Sequence, residues 1–276
     1  MKNYLKNNFD PVRIIDGFDE LPIWSAPFGL KLLDAVDYKQ GITVLDIGSG
    51  TGFPLTELAM RLGNKAVIYG IDPWKEAVAK AKDKIACYGI GNIEIIDGVA
   101  ESIPLADNSV DLITSNNGIN NATNMGKALS ECARVLKSGG QFIQTMNLDQ
   151  SMFEFYDQME YILKEMTLHE EVEHMHEHIA HKRPSIDQIK ALHQQHGLII
   201  KELEYDQFNY WFADGTAMLN HYFIRLAFMD SWVALLPEGK VNEIFDRIET
   251  RLNEYADRFG GLKLSIPFVL IDVTKK

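Results

Sequence analysis

The sequence predicts an α/β fold in which a parallel sheet is covered by helices. Two observations carry that reading. From about Gly41 to Met146, short β-branched runs alternate with amphipathic segments, the pattern of strands joined by helical crossovers. Near the start of that stretch, Val44-Leu45-Asp46-Ile47 runs straight into Gly48-Ser49-Gly50-Thr51-Gly52, a buried strand entering a glycine-rich turn ahead of a helix.

Residues 1 to 40 read as an irregular arm followed by a helix whose apolar face is Leu30, Leu32, Leu33, Ala35 and Val36. Strands are expected near Thr43 to Ile47, Val67 to Ile71, Ile93 to Ile96, Asp111 to Thr114 and Gln141 to Met146. Helices are expected near Leu55 to Leu62, Lys75 to Tyr88 and Lys127 to Leu136, with Gly139 suited to a helix C-cap. Asp107-Asn108-Ser109 and Lys137-Ser138-Gly139-Gly140 supply turns before the fourth and fifth strands. Beyond residue 150 the composition changes. Residues 150 to 182 are helical and rich in Glu, Met and His, and a helix starts at Pro184-Ser185-Ile186-Asp187 and ends at Gly197. Leu198 to Leu203 and Phe208 to Phe212 read as extended, Asp214 to Leu236 as one apolar helix, Glu238 to Phe259 as an amphipathic helix, and Ile266 to Val273 as a last strand. No repeat or low-complexity linker divides the 276 residues, which favours one domain with helical additions.

Composition narrows the function classes. A hydrophobic content of 46% is ample for a buried core, and no run of apolar residues is long enough to span a membrane. The N-terminus lacks the apolar block of a signal peptide, so a soluble, cytoplasmic protein is expected. Thirty-nine acidic residues against 27 basic ones give a net charge of -12, with no basic run to receive a phosphate backbone, so nucleic acid is disfavoured as a partner. Cys87 and Cys132 form neither CxxC nor CxH spacing and are expected to be buried thiols.

The glycine spacing discriminates among cofactor loops. A dinucleotide fingerprint GxGxxG would need glycine where Phe53 stands, and a Walker loop would need Gly-Lys-Ser/Thr. Here the pattern is GxGxG. Asp72, closing the second strand, can accept from both hydroxyls of a ribose and would repel a 2′-phosphate. It can equally cap the helix that begins at Pro73, and the two roles are compatible.

Four segments in order, Asp46-Ile47-Gly48-Ser49-Gly50-Thr51-Gly52, then Asp72, then Gly98-Val99-Ala100-Glu101-Ser102-Ile103-Pro104, then Arg134-Val135-Leu136-Lys137-Ser138-Gly139-Gly140, resemble the motif series of class I S-adenosylmethionine-dependent methyltransferases. The chain is most similar in flavour to the ubiquinone and menaquinone biosynthesis (type 11) group, over roughly residues 40 to 147. That resemblance implies a Rossmann-like, seven-stranded, mostly parallel sheet whose last strand, Ile266 to Val273, is antiparallel. It divides the single domain into an N-terminal arm and helix (1–40), a cofactor-binding core (41–149), and helical cap insertions with the last two strands (150–276). S-adenosyl-L-methionine would be the cofactor and S-adenosyl-L-homocysteine its product. Carried over by position, Gly48, Ser49, Gly50 and Gly52 would flank the methionine part, with Asp46 steering the loop or the amino group. Asp72 and Pro73 would lie at the ribose, Trp74 would pack on the adenine, and Val99, Ala100 and Glu101 would border its edge. Relatives often carry aspartate where this chain has Val99, leaving Glu101 or backbone groups to meet the exocyclic amine.

Ser115-Asn116-Asn117-Gly118-Ile119-Asn120-Asn121 follows the fourth strand at the edge where open sheets bind ligands. Asn116 is the candidate for cofactor contact and catalysis; alternatively the loop amides satisfy their own backbone. Asn116, Asn147 and Asp149 together are short of the carboxylates a magnesium site wants, so no metal is expected. His169, His174, His176, His178 and His181 read as a solvated helix face, with a general base or a two-point metal contact as the alternative. Asp214 to Leu236, apolar nearly all round, fits a buried core, a homodimer interface or the roof of a pocket for a hydrophobic or aromatic acceptor. His221 is its candidate proton acceptor and Tyr222 a candidate substrate contact. The expected activity is methyl transfer to a small molecule, by in-line displacement in a pocket capped by residues 150 to 182, the segment around Trp24, Pro27 and Phe28, and the apolar helix. The alternatives are a regulatory protein that binds the cofactor without turnover, and a nucleotide-cofactor oxidoreductase.

Overall fold

A computed structural model describes residues 2–6 and 24–276. Residues 7–23 of the expected arm and the side chain of His181 lie outside the described residues. The chain divides into two compact units. One comprises Pro22–Asn147, Arg183–Asp206 and Phe268–Lys276; the other comprises Met1–Leu21, Leu148–Lys182 and Gln207–Pro267.

The first unit holds the sheet. It opens with helix α1 (Ser25–Asp34), then β1 (Thr43–Ile47), α2 (Leu55–Leu62), β2 (Val67–Asp72), α3 (Lys75–Tyr88), β3 (Ile93–Asp97), β4 (Val110–Asn116), α4 (Met125–Val135) and β5 (Leu136–Asn147). Strands β1 to β5 pair in parallel, as β-branched residues buried on both faces between crossover helices require. Leu32 and Leu33 of α1, Leu55 and Leu58 of α2, and Val44, Leu112 and Ile143 of the strands form one continuous core layer. Helix α1 runs along β4 and β5, and Leu30, expected on its apolar face, is instead 54% exposed.

After α5 (Phe153–Glu165) and α6 (His169–Lys182) come α7 (Ile186–Gln195), β6 (Leu198–Phe212) and finally β7 (Leu262–Lys275). The sheet order is β3-β2-β1-β4-β5-β7-β6, and β7 runs antiparallel to β5. This is the seven-stranded, largely parallel sheet with a reversed last strand that the resemblance implied. Ser185 and Gln188 form a capping box that starts α7, satisfying two backbone donors at once.

The helical unit centres on Trp232. Its ring is fully buried, stacks on Phe155 at 3.8 Å between centroids, and donates from Nε1 to the Tyr156 hydroxyl at 3.0 Å. Glu154, in the first turn of α5, accepts from the Ser265 backbone N–H at 2.9 Å and from its hydroxyl at 2.6 Å.

Several local expectations need correction. The apolar segment is not one helix: α8 (Gly215–Asn220), α9 (Tyr222–Ile224), a π-helical turn (Arg225–Met229) and α10 (Asp230–Ala234) replace it, with His221 extended at ψ 131°. The Asn220 amide donates to the carbonyl of Thr216 four residues back, a bond that competes with the helix ladder where α8 stops. Helix α11 (Val241–Phe259) starts after a 3-10 turn at Glu238–Lys240. Residues 198–212 form one strand rather than two extended pieces. Gly139 is no helix cap, because α4 ends at Val135. Pairing passes from Val110–Leu136 to Leu112–Gln141, so Lys137–Gly140 bulge out, and Gly139 takes its φ of +74° inside that bulge. Cys132 is buried as expected, and burial pushes its thiol pKa up, but Cys87 near the end of α3 is exposed.

Glu154→Ala should leave two donors of Ser265 buried and unpaired, lowering stability by about 2 to 4 kcal/mol. Urea unfolding followed by Trp fluorescence measures this, and an unchanged midpoint would show that the contact is dispensable.

Candidate functional site

The strand order reverses direction between β1 and β4, which opens a crevice at the carboxyl ends of those two strands. Everything that lines it follows from how β1 ends. Gly48 and Ser49 donate their N–H groups to the Ile71 carbonyl (2.9 and 3.3 Å), and Gly52 donates to the Ser49 carbonyl at 2.8 Å, closing a tight turn. Gly48, Gly50 and Gly52 have φ of 73°, 50° and 104°, conformations costly for residues with a Cβ. A Cβ on Gly48 would lie 2.8 Å from Gly118 Cα, and one on Gly118 would lie 2.4 Å from the Ile47 carbonyl oxygen. The backbones leaving β1 and β4 therefore touch.

Asp72 ties this turn to β2. Its Oδ2 accepts from Gly50 N–H and its Oδ1 from Trp74 N–H, both at 2.8 Å, so the carboxylate braces the loop and the approach to α3 together. Burial raises its pKa, opposed by those two N–H groups. Each oxygen still has a lone pair for a ligand hydroxyl. The helix expected from Pro73 begins instead at Lys75, with Trp74 at its N-cap position and no side-chain cap, so Asp72 holds the approach to α3 without capping it.

Asp46 is fully buried. Thr114 donates to its Oδ1 at 2.7 Å, while Oδ2 has no partner among the described residues. Burial pushes its carboxyl up to about 7, against the Thr114 bond and with help from the Asp72 charge. The Ser49 hydroxyl is likewise buried without a partner. A buried acceptor and a buried hydroxyl left unpaired beside a glycine turn are what a polar ligand would satisfy.

The third segment follows β3, whose Asp97 is in register with Asp72. The Gly98 N–H donates to the Asp72 carbonyl at 3.3 Å, which brings the Val99-Ala100-Glu101 run beside the ribose candidate. Val99 is 43% exposed and Pro73 is exposed, while Trp74, Ala100 and Glu101 are half-buried. Glu101, expected as a possible adenine partner, accepts from the Asn124 N–H at 3.0 Å ahead of α4.

Asn116 closes β4. It donates from Nδ2 to the Ser25 carbonyl of α1 (3.0 Å) and accepts at Oδ1 from the Thr145 hydroxyl (3.1 Å). The other amides largely serve one another: Asn117 Oδ1 accepts from Asn120 Nδ2 at 3.1 Å and from the Asn147 N–H at 3.3 Å. Gly118, Thr114 and Thr145 were not singled out from the sequence. Gly118 is one residue of the Ser115–Asn121 loop with no signal of its own, and the threonines are ordinary strand residues until the register aligns them.

His221 belongs to the helical unit. It is half-buried, its pKa lowered by burial, with Nδ1 unpartnered among the described residues and its ring edge-on to Phe212 at 5.4 Å. On α6, His169, His174 and His176 are exposed, and His176 lies 3.4 Å from Glu160.

A family model described as "Methyltransferase domain" matches residues 38–215. The demethylmenaquinone methyltransferase of Bacillus licheniformis is 31% identical over 54% of this chain and 61% of its own length. The ubiquinone/menaquinone biosynthesis C-methyltransferase UbiE of Klebsiella pneumoniae is 34% identical over 40% of this chain and 45% of its own. The matches thus span between about half and three fifths of these relatives. Among solved structures, the YcgJ protein of Bacillus subtilis aligns with a TM-score of 0.59 at 21% identity, covering 91% of this chain and 98% of that one, a likeness of fold. With its glycine turn, its reversed last strand and a family match over most of its length, the chain belongs to the methyltransferase-domain family.

Proposed function

We propose that this chain transfers a methyl group from S-adenosyl-L-methionine to a small-molecule acceptor. The observation that carries the reading is the GxGxG turn braced by Asp72, with two polar groups buried beside it, Asp46 Oδ2 and the Ser49 hydroxyl, that have no partner among the described residues. Gly48, Gly50 and Gly52 let the backbone approach the methionine part, Asp46 and Ser49 meet its polar end, and Asp72 holds the ribose. When bound, the cofactor supplies an electrophilic methyl on a positively charged sulfur, with a neutral leaving group. The protein's task is then chiefly to align the acceptor in line and exclude water. A base is needed only where the acceptor must lose a proton.

The two curated relatives are named for demethylmenaquinone and for ubiquinone/menaquinone biosynthesis, and we extend that chemistry here as an aromatic or hydrophobic acceptor. His221, an imidazole whose pKa burial lowers and whose Nδ1 has no partner among the described residues, has the chemistry of the proton acceptor that a phenolic substrate would require.

Three outcomes test this reading. Asp72→Ala should weaken binding of S-adenosylhomocysteine by about tenfold or more, the loss of a charge-assisted hydrogen bond. Calorimetry with no heat for the wild-type protein, or equal affinity in the variant, would overturn the assignment. Cofactor affinity should also depend on pH. Asp46 is largely protonated below about 7 in the free protein, and an ammonium beside Oδ2 favours its ionised form. Affinity should therefore rise from pH 5.5 to 7.5, with proton release seen as buffer-dependent heat, and Asp46→Asn should abolish the slope. A flat profile in the wild type would remove Asp46 from contact with the amino group. Finally, His221→Ala should lower kcat on phenolic acceptors by about 100-fold, most where the acceptor hydroxyl is least acidic. A wild-type rate in that variant would leave His221 a packing residue.

A further inference from the structure

Gly29 stands in the middle of α1, where its φ is not positive and its backbone asks for no glycine. A glycine in a helix interior weakens the helix relative to alanine, and the neighbours of this one give a reason for it. A Cβ there would lie 2.2 Å from Cε1 and 2.7 Å from Cζ of Phe53, and 3.0 Å from Asn116 Nδ2. Phe53 is the residue directly after Gly52 of the glycine turn. Asn116 is the residue that closes β4, and its amide is used at both ends, Oδ1 held by Thr145 and Nδ2 donated to the Ser25 carbonyl in the first turn of α1. The helix is held from its other sides as well. Phe28 packs edge-on against Phe268 at 4.9 Å, and Lys31 pairs with Glu204 of β6.

We infer that α1 is the outer wall of the glycine turn, and that Gly29 and Asn116 are positioning residues that set how tightly the turn closes on its ligand. The inference rests on the cofactor reading above and assigns Asn116 a role through α1 and Phe53 in place of contact with the reacting atoms. Helix propensity alone would favour alanine at position 29. The glycine instead admits the Phe53 ring and the Asn116 amide to the helix backbone. The bond from Asn116 to Ser25 is a fastening of β4 to α1. Breaking it lets the helix retreat from Phe53, and the turn loses its outer support.

Displacement of S-adenosylhomocysteine, followed by stopped flow, tests this on the full chain with five proteins: wild type, Asn116→Ala, Gly29→Ala, Phe53→Leu, and Gly29→Ala with Phe53→Leu. Asn116→Ala adds no atoms and should raise the dissociation rate severalfold. Gly29→Ala should raise it by about tenfold or more, and Phe53→Leu, by making room for the added methyl, should bring the double variant back close to Phe53→Leu alone. In turnover, KM for the cofactor should rise with kcat at saturating cofactor nearly unchanged. Wild-type dissociation rates in both Asn116→Ala and Gly29→Ala would overturn the inference, and so would a fall in kcat at saturating cofactor in Asn116→Ala, which marks a residue acting on the reacting atoms. If Gly29→Ala fails to fold, Asn116→Ala decides the matter alone. A wild-type protein that binds no cofactor fails the methyltransferase reading and this inference with it, whereas binding by the wild type with unchanged variants fails this inference alone.

Discussion

The contact of two backbones at Gly48 and Gly118 is the constraint from which the rest of the crevice follows. Parallel strands β1 and β4 are neighbours, but their crossover connections depart in opposite directions, so the chains leaving their carboxyl ends would ordinarily diverge. Here they touch, with Gly118 close enough to the Ile47 carbonyl to exclude any side chain. That approach fixes the start of the glycine turn. The Ile71 carbonyl fixes its first two N–H groups, and Asp72 fixes the third through Gly50. A turn restrained at three points from two strands is organised before any ligand arrives, and an organised site loses less entropy on binding.

The buried acids give that turn its chemical bias. Asp46 and Asp72 are both raised by burial, and the charge on Asp72 further disfavours ionisation of Asp46. Two carboxyls sharing a partly desolvated crevice favour a positively charged ligand group and oppose a phosphate. The net charge of -12 acts in the same direction over longer range. The missing third glycine of a dinucleotide fingerprint, where Phe53 stands, is therefore matched by electrostatics that would also reject a pyrophosphate.

How much of this was legible in the sequence depended on whether the signal was local. The bounds of β1, α2 and α3 could be read to the residue, because each is flanked by glycine, proline or turn residues and has a clear apolar period. The glycine turn and Asp72 were legible for the same reason. The break at His221 was not, since a segment apolar on every face carries no period from which to locate an interruption, and the Asn220 amide that competes with the ladder looks like any polar helix residue. Asn116 was visible as a residue at the right edge of the sheet, but its partners Ser25 and Thr145 lie 91 and 29 positions away. The bulge at Lys137–Gly140 escaped because two glycines after a helix fit a C-cap equally well until strand register shows where pairing resumes.

Gly29 marks the limit of such reading and also its use. Within an apolar helical run a glycine is a local defect, and no pattern within the helix explains it. Its cause lies in two residues from other elements, Phe53 after the glycine turn and Asn116 at the end of β4. Both were already implicated by position, one as the departure from the dinucleotide spacing and the other as the candidate polar residue of the crevice. A residue that violates local preference at the point where two functionally placed residues converge is more informative than either alone, because the helix has given up stability to allow that approach. The glycine is therefore explained by the contact among α1, Phe53 and Asn116, which a side chain at position 29 would obstruct.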